Sequence, residues 1–128
     1  MTAEEVSKMS RVLIVEDAPF IREVFRYALK THNYDIAGEA VNGVEAIDKY
    51  RALKPDVVLM DLLMPMMDGI SAIRRIVELD SGAKIIVVSA ITKGSLKEEA
   101  MRAGAIDFVT KPFELKRLLS AISDACAA

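Results

Sequence analysis

Five short segments along the chain read as buried strands, at residues 12–15, 35–40, 57–60, 84–88 and 106–110, and the first, third and fourth are dominated by Val, Ile, Leu and Met. Three of them lack the apolar-polar alternation of a sheet with one wet face. Continuous apolar runs of this kind belong in a parallel sheet covered on both sides, and parallel strands demand crossovers long enough to hold a helix. The connecting stretches meet that demand. Helical spacing is carried by Phe20, Val24, Tyr27 and Ala28, by Val44, Ile47, Tyr50 and Arg51, and by Ile70, Ile73, Ile76 and Val77. The last such stretch uses Leu115, Leu118, Leu119 and Ile122, with Lys116 and Arg117 toward water. Five strands thus alternate with five helices. Right-handed crossovers turn this alternation into an α/β fold with a doubly wound, five-stranded parallel sheet, whose commonest strand order is 2-1-3-4-5.

Punctuation residues agree with the division. Pro19 suits a first helical turn, Gly43 and Gly69 stand at helix entrances, Ser95 with Glu98 spells a capping box, and Gly104 closes that helix. A length of 128 residues is one domain's worth, and a hydrophobic content of 52% supplies a core, which excludes intrinsic disorder. The expected division is an N-terminal tail over residues 1–10 and one domain over 11–128. The tail has Glu4, Glu5 and Lys8 and no apolar block, unlike a secretory signal. The best apolar stretch, 57–67, is interrupted by Asp61, so no membrane insertion is expected. A formal net charge of −2 weighs against direct nucleic-acid binding. The single cysteine, Cys126, allows neither an internal disulfide nor a cysteine-based zinc site, which points to the cytoplasm.

Ligands of such sheets bind beyond the carboxyl ends of the strands, where the strand order reverses. Strand one ends in Glu16-Asp17, strand three in Asp61, strand four in Ser89 and strand five in Lys111-Pro112. Any one of these alone reads as a cap or a loop residue; together they put four polar strand ends on one edge. Three carboxylates repel one another unless cations join them. Lys111 offers one positive charge, and a divalent ion supplies the remainder. Oxygen donors without His or Cys select a hard ion, Mg2+, which commonly bridges carboxylates to a phosphate. On this chemistry Asp61 is the nucleophile that accepts a phosphoryl group as an acyl phosphate. Glu16 and Asp17 hold the ion directly or through water, the Leu63 carbonyl completes its shell, Lys111 neutralises the transferring oxygens, and Ser89 donates a hydrogen bond to one of them.

The segments Val12-Leu13-Ile14-Val15-Glu16-Asp17, Met60-Asp61-Leu62-Leu63-Met64-Pro65-Met66-Met67-Asp68-Gly69, Val88-Ser89-Ala90 and Phe108-Val109-Thr110-Lys111-Pro112 resemble the response-regulator receiver family of two-component signalling, over residues 11 to about 125. The resemblance implies a flavodoxin-like fold, transfer of phosphate from a histidine kinase's phosphohistidine to Asp61 in a Mg2+-dependent step, and a cis Lys111-Pro112 peptide. It also implies that Ser89 and Phe108 form a switch pair, the hydroxyl moving toward the phosphoryl group and the ring turning inward. Two positions depart from the common pattern: Ser89 stands where Thr is frequent, and Glu16 where Asp is frequent, its longer arm suggesting contact with the ion through water. Gly38-Glu39-Ala40 and Asn42-Gly43 resemble receivers of the chemotaxis type.

The expected function is therefore a stand-alone phosphoacceptor switch that promotes its own phosphorylation and dephosphorylation and is not otherwise an enzyme. Its output partner would be a flagellar switch component or a phosphotransfer protein. The alternatives are a phosphorelay intermediate or a receiver cut from a larger regulator. A hydrolase of the haloacid-dehalogenase type also uses an aspartyl nucleophile but needs a second Asp where this chain has Leu63. A flavin carrier would need a glycine- and hydroxyl-rich loop after strand one, and an inert pseudo-receiver would not keep the full acidic set. Leu63 and Ile91 are expected to flank the path of a hydrolytic water. Lys93, Lys97, Met101, Phe108 and Lys116 lie on the face where the family presents its partner surface. The methionines at 60, 64, 66 and 67 read as packing, His32 as a helix-terminal surface residue and Cys126 as inert.

Overall fold

A computed structural model of the chain describes residues 10–90 and 95–127. Strands β1 (Arg11–Val15), β2 (Asp35–Ala40), β3 (Val57–Met60), β4 (Ile85–Ser89) and β5 (Asp107–Thr110) alternate with helices α1 (Pro19–Thr31), α2 (Gly43–Leu53), α3 (Gly69–Leu79), α4 (Leu96–Ala103) and α5 (Leu115–Ala127). The strands form one parallel sheet of order β2-β1-β3-β4-β5. This is the flavodoxin-like, doubly wound arrangement expected from the apolar runs.

Every residue of β3 and β4 is buried, as is β1 after Arg11. The alternation along each strand splits these residues between two cores. Leu13, Val15, Val58, Met60, Ile85 and Val87 face one way and pack with Ala46, Ile47 and Tyr50 of α2, Ala72, Ile73 and Ile76 of α3, and Ala100 of α4. Val12, Ile14, Val57, Leu59, Ile86 and Val88 face the other way and meet Phe25 and Leu29 of α1 and Leu118, Ala121 and Ile122 of α5. Each large side chain buried in this way contributes about 1.5–3 kcal/mol of transfer free energy. With both faces of the central strands covered, polar residues are confined to the strand ends, Arg11 of β1 and Ser89 of β4, which is why the strand interiors read as unbroken apolar runs.

Pro19, Gly43 and Gly69 open α1, α2 and α3, as their positions in the sequence imply, and Gly104 ends α4 with a φ of +127°. Asn42 and Asp68, which the sequence reading did not single out as caps, accept from Glu45 N–H and Ser71 N–H at the starts of α2 and α3. A Cβ at Gly104 would also lie 2.6 Å from Val77 Cγ2, so both backbone and space require glycine there.

Three expectations need correction. Phe20 and Tyr27 are about 72% and 71% exposed; α1 buries Phe25, Ala28 and Leu29 instead, a face rotated from the aromatic pair. Val44 likewise lies at the surface of α2 while Ile47 and Tyr50 are buried. The capping box at Ser95 does not form, because its backbone, at φ −93° and ψ 14°, is not extended and its hydroxyl makes no cap bond. The Ser95 carbonyl still accepts from Glu99 N–H at 2.7 Å. Of the stretch expected to be a tail, only Ser10 falls among the described residues; it is buried and its carbonyl accepts from Asp35 N–H.

Candidate functional site

Backbone ladders carry the acids to the carboxyl edge of the sheet. β1 continues for one residue as Glu16 N–H donates to the Ala40 carbonyl at 3.0 Å, and β3 does the same as Asp61 N–H donates to the Val15 carbonyl at 3.0 Å. Since Val15 pairs with Met60, Glu16 and Asp61 leave adjacent strands side by side. At the other end of the sheet Lys111 N–H donates to the Ser89 carbonyl at 2.8 Å. The strands thus deliver Glu16, Asp61, Ser89 and Lys111 to one edge.

The side chains complete the grouping. Glu16, Asp17 and Asp61 each offer a carboxylate oxygen, and these oxygens all lie within 4.8 Å of one another. Lys111 Nζ sits 2.6 Å from Glu16 Oε1 and 3.7 Å from Asp61 Oδ2. The ammonium is therefore shared, with its shorter contact to Glu16. Glu16 is 1% exposed, and its second oxygen accepts from Ala18 N–H at 3.2 Å. Asp61 is nearly buried, and its Oδ1 accepts from Leu63 N–H at 3.3 Å. Asp17 is exposed; its carboxyl is raised above the ordinary aspartate range by partial desolvation, then by a hydrogen bond to Glu16 and the charge of that neighbour. Three carboxylates with no nitrogen or sulfur donor make a site able to hold a hard divalent cation.

Arg22 carried no sequence signal, and Gly69, expected at a helix entrance, does more than open α3. Arg22, on the first turns of α1, donates through one guanidinium nitrogen to the carbonyls of Glu16 at 2.9 Å and Asp17 at 3.1 Å, fixing the acidic corner. Gly69 N–H donates to the Leu62 carbonyl, and a Cβ on Gly69 would lie 2.4 Å from the Asp61 carbonyl oxygen. The loop after Asp61 can close onto α3 only because that position has no side chain.

Ser89 is fully buried at the end of β4, and Phe108 is 6% exposed in β5. Ser89 pairs with Thr110 and Val87 with Phe108, so Ser89 and Phe108 share the sheet face covered by α2, α3 and α4. The Lys111–Pro112 peptide is cis. Leu63 is 61% exposed on the loop after β3. Ile91 and Lys93 lie outside the described residues. Met60 is fully buried, and Met64 and Met67 pack against the core, as expected of filler thioethers, but Met66, expected to pack as well, is 81% exposed. His32 is exposed at the C-cap of α1, with Nδ1 2.9 Å from the Ala28 carbonyl. Cys126 is a free cysteine whose thiol is pushed up by burial. Among the described residues no helix is long and apolar enough to cross a membrane.

Comparison with known proteins agrees with this geometry. A family model described as the response regulator receiver domain matches residues 12–123. The chemotaxis protein CheY of Thermotoga maritima is 49% identical over 88% of this chain and 94% of its own length. CheY of Bacillus subtilis is 43% identical over 88% of this chain and 94% of its own. Among solved structures, a complex of CheX and CheY with BeF3 and Mg2+ from Borrelia burgdorferi superposes with a TM-score of 0.87 at 32% identity, covering 90% of this chain and 87% of that one. The chain therefore belongs to the response regulator receiver domain family of two-component signalling proteins.

Proposed function

We propose that Asp61 is the phosphoacceptor of this response regulator and that a histidine kinase's phosphohistidine is its donor. The single observation that carries this reading is the shared ammonium: Lys111 Nζ bridges a buried Glu16 and the nearly buried Asp61, while Asp17 stays open beside them. Glu16 spends one oxygen on Lys111 and the other on Ala18 N–H. That leaves Asp17 and Asp61 as the arms for direct coordination, with Glu16 acting through water and the Leu63 carbonyl as a further oxygen donor. A Mg2+ ion held there supplies charge to balance the acids and the incoming phosphoryl oxygens.

In the transfer, an oxygen of Asp61 forms a bond to phosphorus as the phosphorus–nitrogen bond to the donor imidazole breaks; the departing imidazole nitrogen takes a proton. Lys111 compensates the added negative charge. Ser89 then donates its hydroxyl hydrogen to a phosphoryl oxygen, and Phe108, on the same sheet face, turns into the space vacated. The changed surface around α4, β5 and α5 engages an output protein of the chemotaxis type, a flagellar switch component or a phosphotransfer protein. Relatives named CheY at 39–49% identity support that assignment.

The test is incubation with a small-molecule phosphodonor, with and without Mg2+, of the parent and of Asp61→Ala. Uptake of one phosphate by the parent alone, and only with the metal, is the expected result. Uptake that persists in Asp61→Ala overturns the assignment.

A further inference from the structure

Met66 joins three features that the phosphoacceptor chemistry leaves unused. At 81% it is the most exposed large apolar side chain among the described residues. Its φ is +70°, and Met67 N–H donates across it to the Pro65 carbonyl at 2.9 Å. A bond from residue i+2 back to i over a positive φ is a γ-turn of the rare, strained kind, kept only where the surroundings enforce it. The sulfur also has a partner: Asn42 Nδ2 donates to Met66 Sδ at 3.4 Å.

Asn42 is buried, and its Oδ1 accepts from Glu45 N–H at 2.8 Å, capping α2. One amide therefore ties the start of α2 to the loop that follows β3. The neighbouring contact is equally close, since a Cβ on Gly43 would lie 2.7 Å from the Met67 carbonyl oxygen. The other methionines among the described residues are less accessible: Met60 is fully buried, Met64 and Met67 pack against the core, and Met101 is 39% exposed. The turn keeps one thioether at the surface while the amide holds it in place.

We propose that Met66 is a peroxide-reactive modification site whose oxidation to the sulfoxide opens the Asn42 clasp between the β2–α2 and β3–α3 loops. The sulfur lone pair attacks one oxygen of a hydroperoxide, the oxygen–oxygen bond breaks, and a sulfur–oxygen bond forms. Sulfur loses two electrons, the peroxide gains them, and after proton transfer water leaves from hydrogen peroxide or an alcohol from an alkyl hydroperoxide. The sulfoxide oxygen is a far better acceptor than the thioether sulfur, but it stands one bond further out. An amide that must also cap α2 cannot meet it without movement of the loop. The inference is independent of the phosphoacceptor reading.

The test treats the full chain with graded hydrogen peroxide, follows each methionine by peptide mass spectrometry, and measures amide hydrogen exchange over residues 41–46 and 62–69. Met66 sulfoxide is expected to form about ten-fold faster than that of buried Met60 and ahead of Met101, with exchange in both segments rising several-fold. Two variants isolate the clasp. Met66→Leu lacks the acceptor, and Asn42→Asp keeps the cap oxygen but lacks the amide donor. Each should show raised exchange over 62–69 before any peroxide, and peroxide should add nothing to Met66→Leu. Oxidation of Met60 or Met101 as fast as Met66, or unchanged exchange after full conversion of Met66, overturns the proposal.

Discussion

Replacing Lys111 with Met keeps most of the aliphatic stem and removes only the ammonium. Its Nζ stands 2.6 Å from Glu16 Oε1, with the lysine side chain 18% and the glutamate side chain 2% exposed. At an effective dielectric of about 20 the bare attraction at that distance is roughly 6 kcal/mol, most of it cancelled by the desolvation of both ions. Deleting one partner of a buried pair is different, because the surviving carboxylate stays desolvated, and the cost is about 3–5 kcal/mol in a sealed interior. Here the rim is open at Asp17, so water reaches part of the site and the expected loss is about 2–3 kcal/mol. For a chain of 128 residues, with an unfolding entropy of about 2.1 cal/mol/K per residue, that corresponds to a fall in Tm of about 7–11 °C. Thermal unfolding followed by circular dichroism, near neutral pH and with a chelator present, reads it directly. Added Mg2+ should recover part of the loss, since a dication can replace the missing charge. The loss should also shrink in an Asp61→Asn background, where one competing carboxylate is gone. A Tm within about 2 °C of the parent in metal-free buffer would mean that Lys111 is not what compensates the buried acid.

The same charge balance predicts that Asp61→Asn alone leaves stability unchanged or raises it by up to about 1 kcal/mol in metal-free buffer, because it relieves repulsion from Glu16 and Asp17; a drop in Tm contradicts this. Leu63→Asn places a polar group two residues beyond Asp61, the proposed phosphoacceptor, where it can orient water, so the acyl phosphate should decay faster than in the parent; an equal or longer half-life tells against an apolar shield at that position. Asp68 caps α3 and its carboxyl is held below the ordinary range, chiefly by the Ser71 N–H. Its contribution is therefore present above the unfolded-state value near pH 4 and disappears as the pH falls through the lower folded-state value, so Asp68→Ala should cost about 1 kcal/mol near neutrality and progressively less below about pH 4. Denaturant unfolding of both proteins across that range checks it, and a gap that widens in acid refutes the sign.

Why some of this was readable from the residues and some was not has a physical basis. β1, β3 and β4 are buried on two faces, which leaves continuous apolar letters, and their polar ends stand out against them. The edge strand β2, with Glu39 and Gly38, is less distinct; it is held partly by charges that no pattern announces. Arg22 and Arg26 from α1 pair with the Glu39 carboxylate, and Lys49 from α2 donates to the Glu39 carbonyl. The apolar face of α1 was misjudged because Phe20 and Tyr27 are large and conspicuous, whereas the face that packs is set by where the sheet lies. Which acid Lys111 would prefer depends on side-chain reach across two strands, and spacing along the chain carries no information about that.

The two helices that follow the acid-bearing strands leave in opposite directions, α1 to one side of the sheet and α3 to the other. Glu16, Asp17 and Asp61 stand where these two loops begin. On the proposed phosphoacceptor reading, a bulky donor such as an imidazole on another protein would approach from the side where Asp17 lies exposed. On that reading, how long an attached phosphoryl group survives is set by the side chains beside Asp61, which makes the clock of this molecule adjustable one residue at a time.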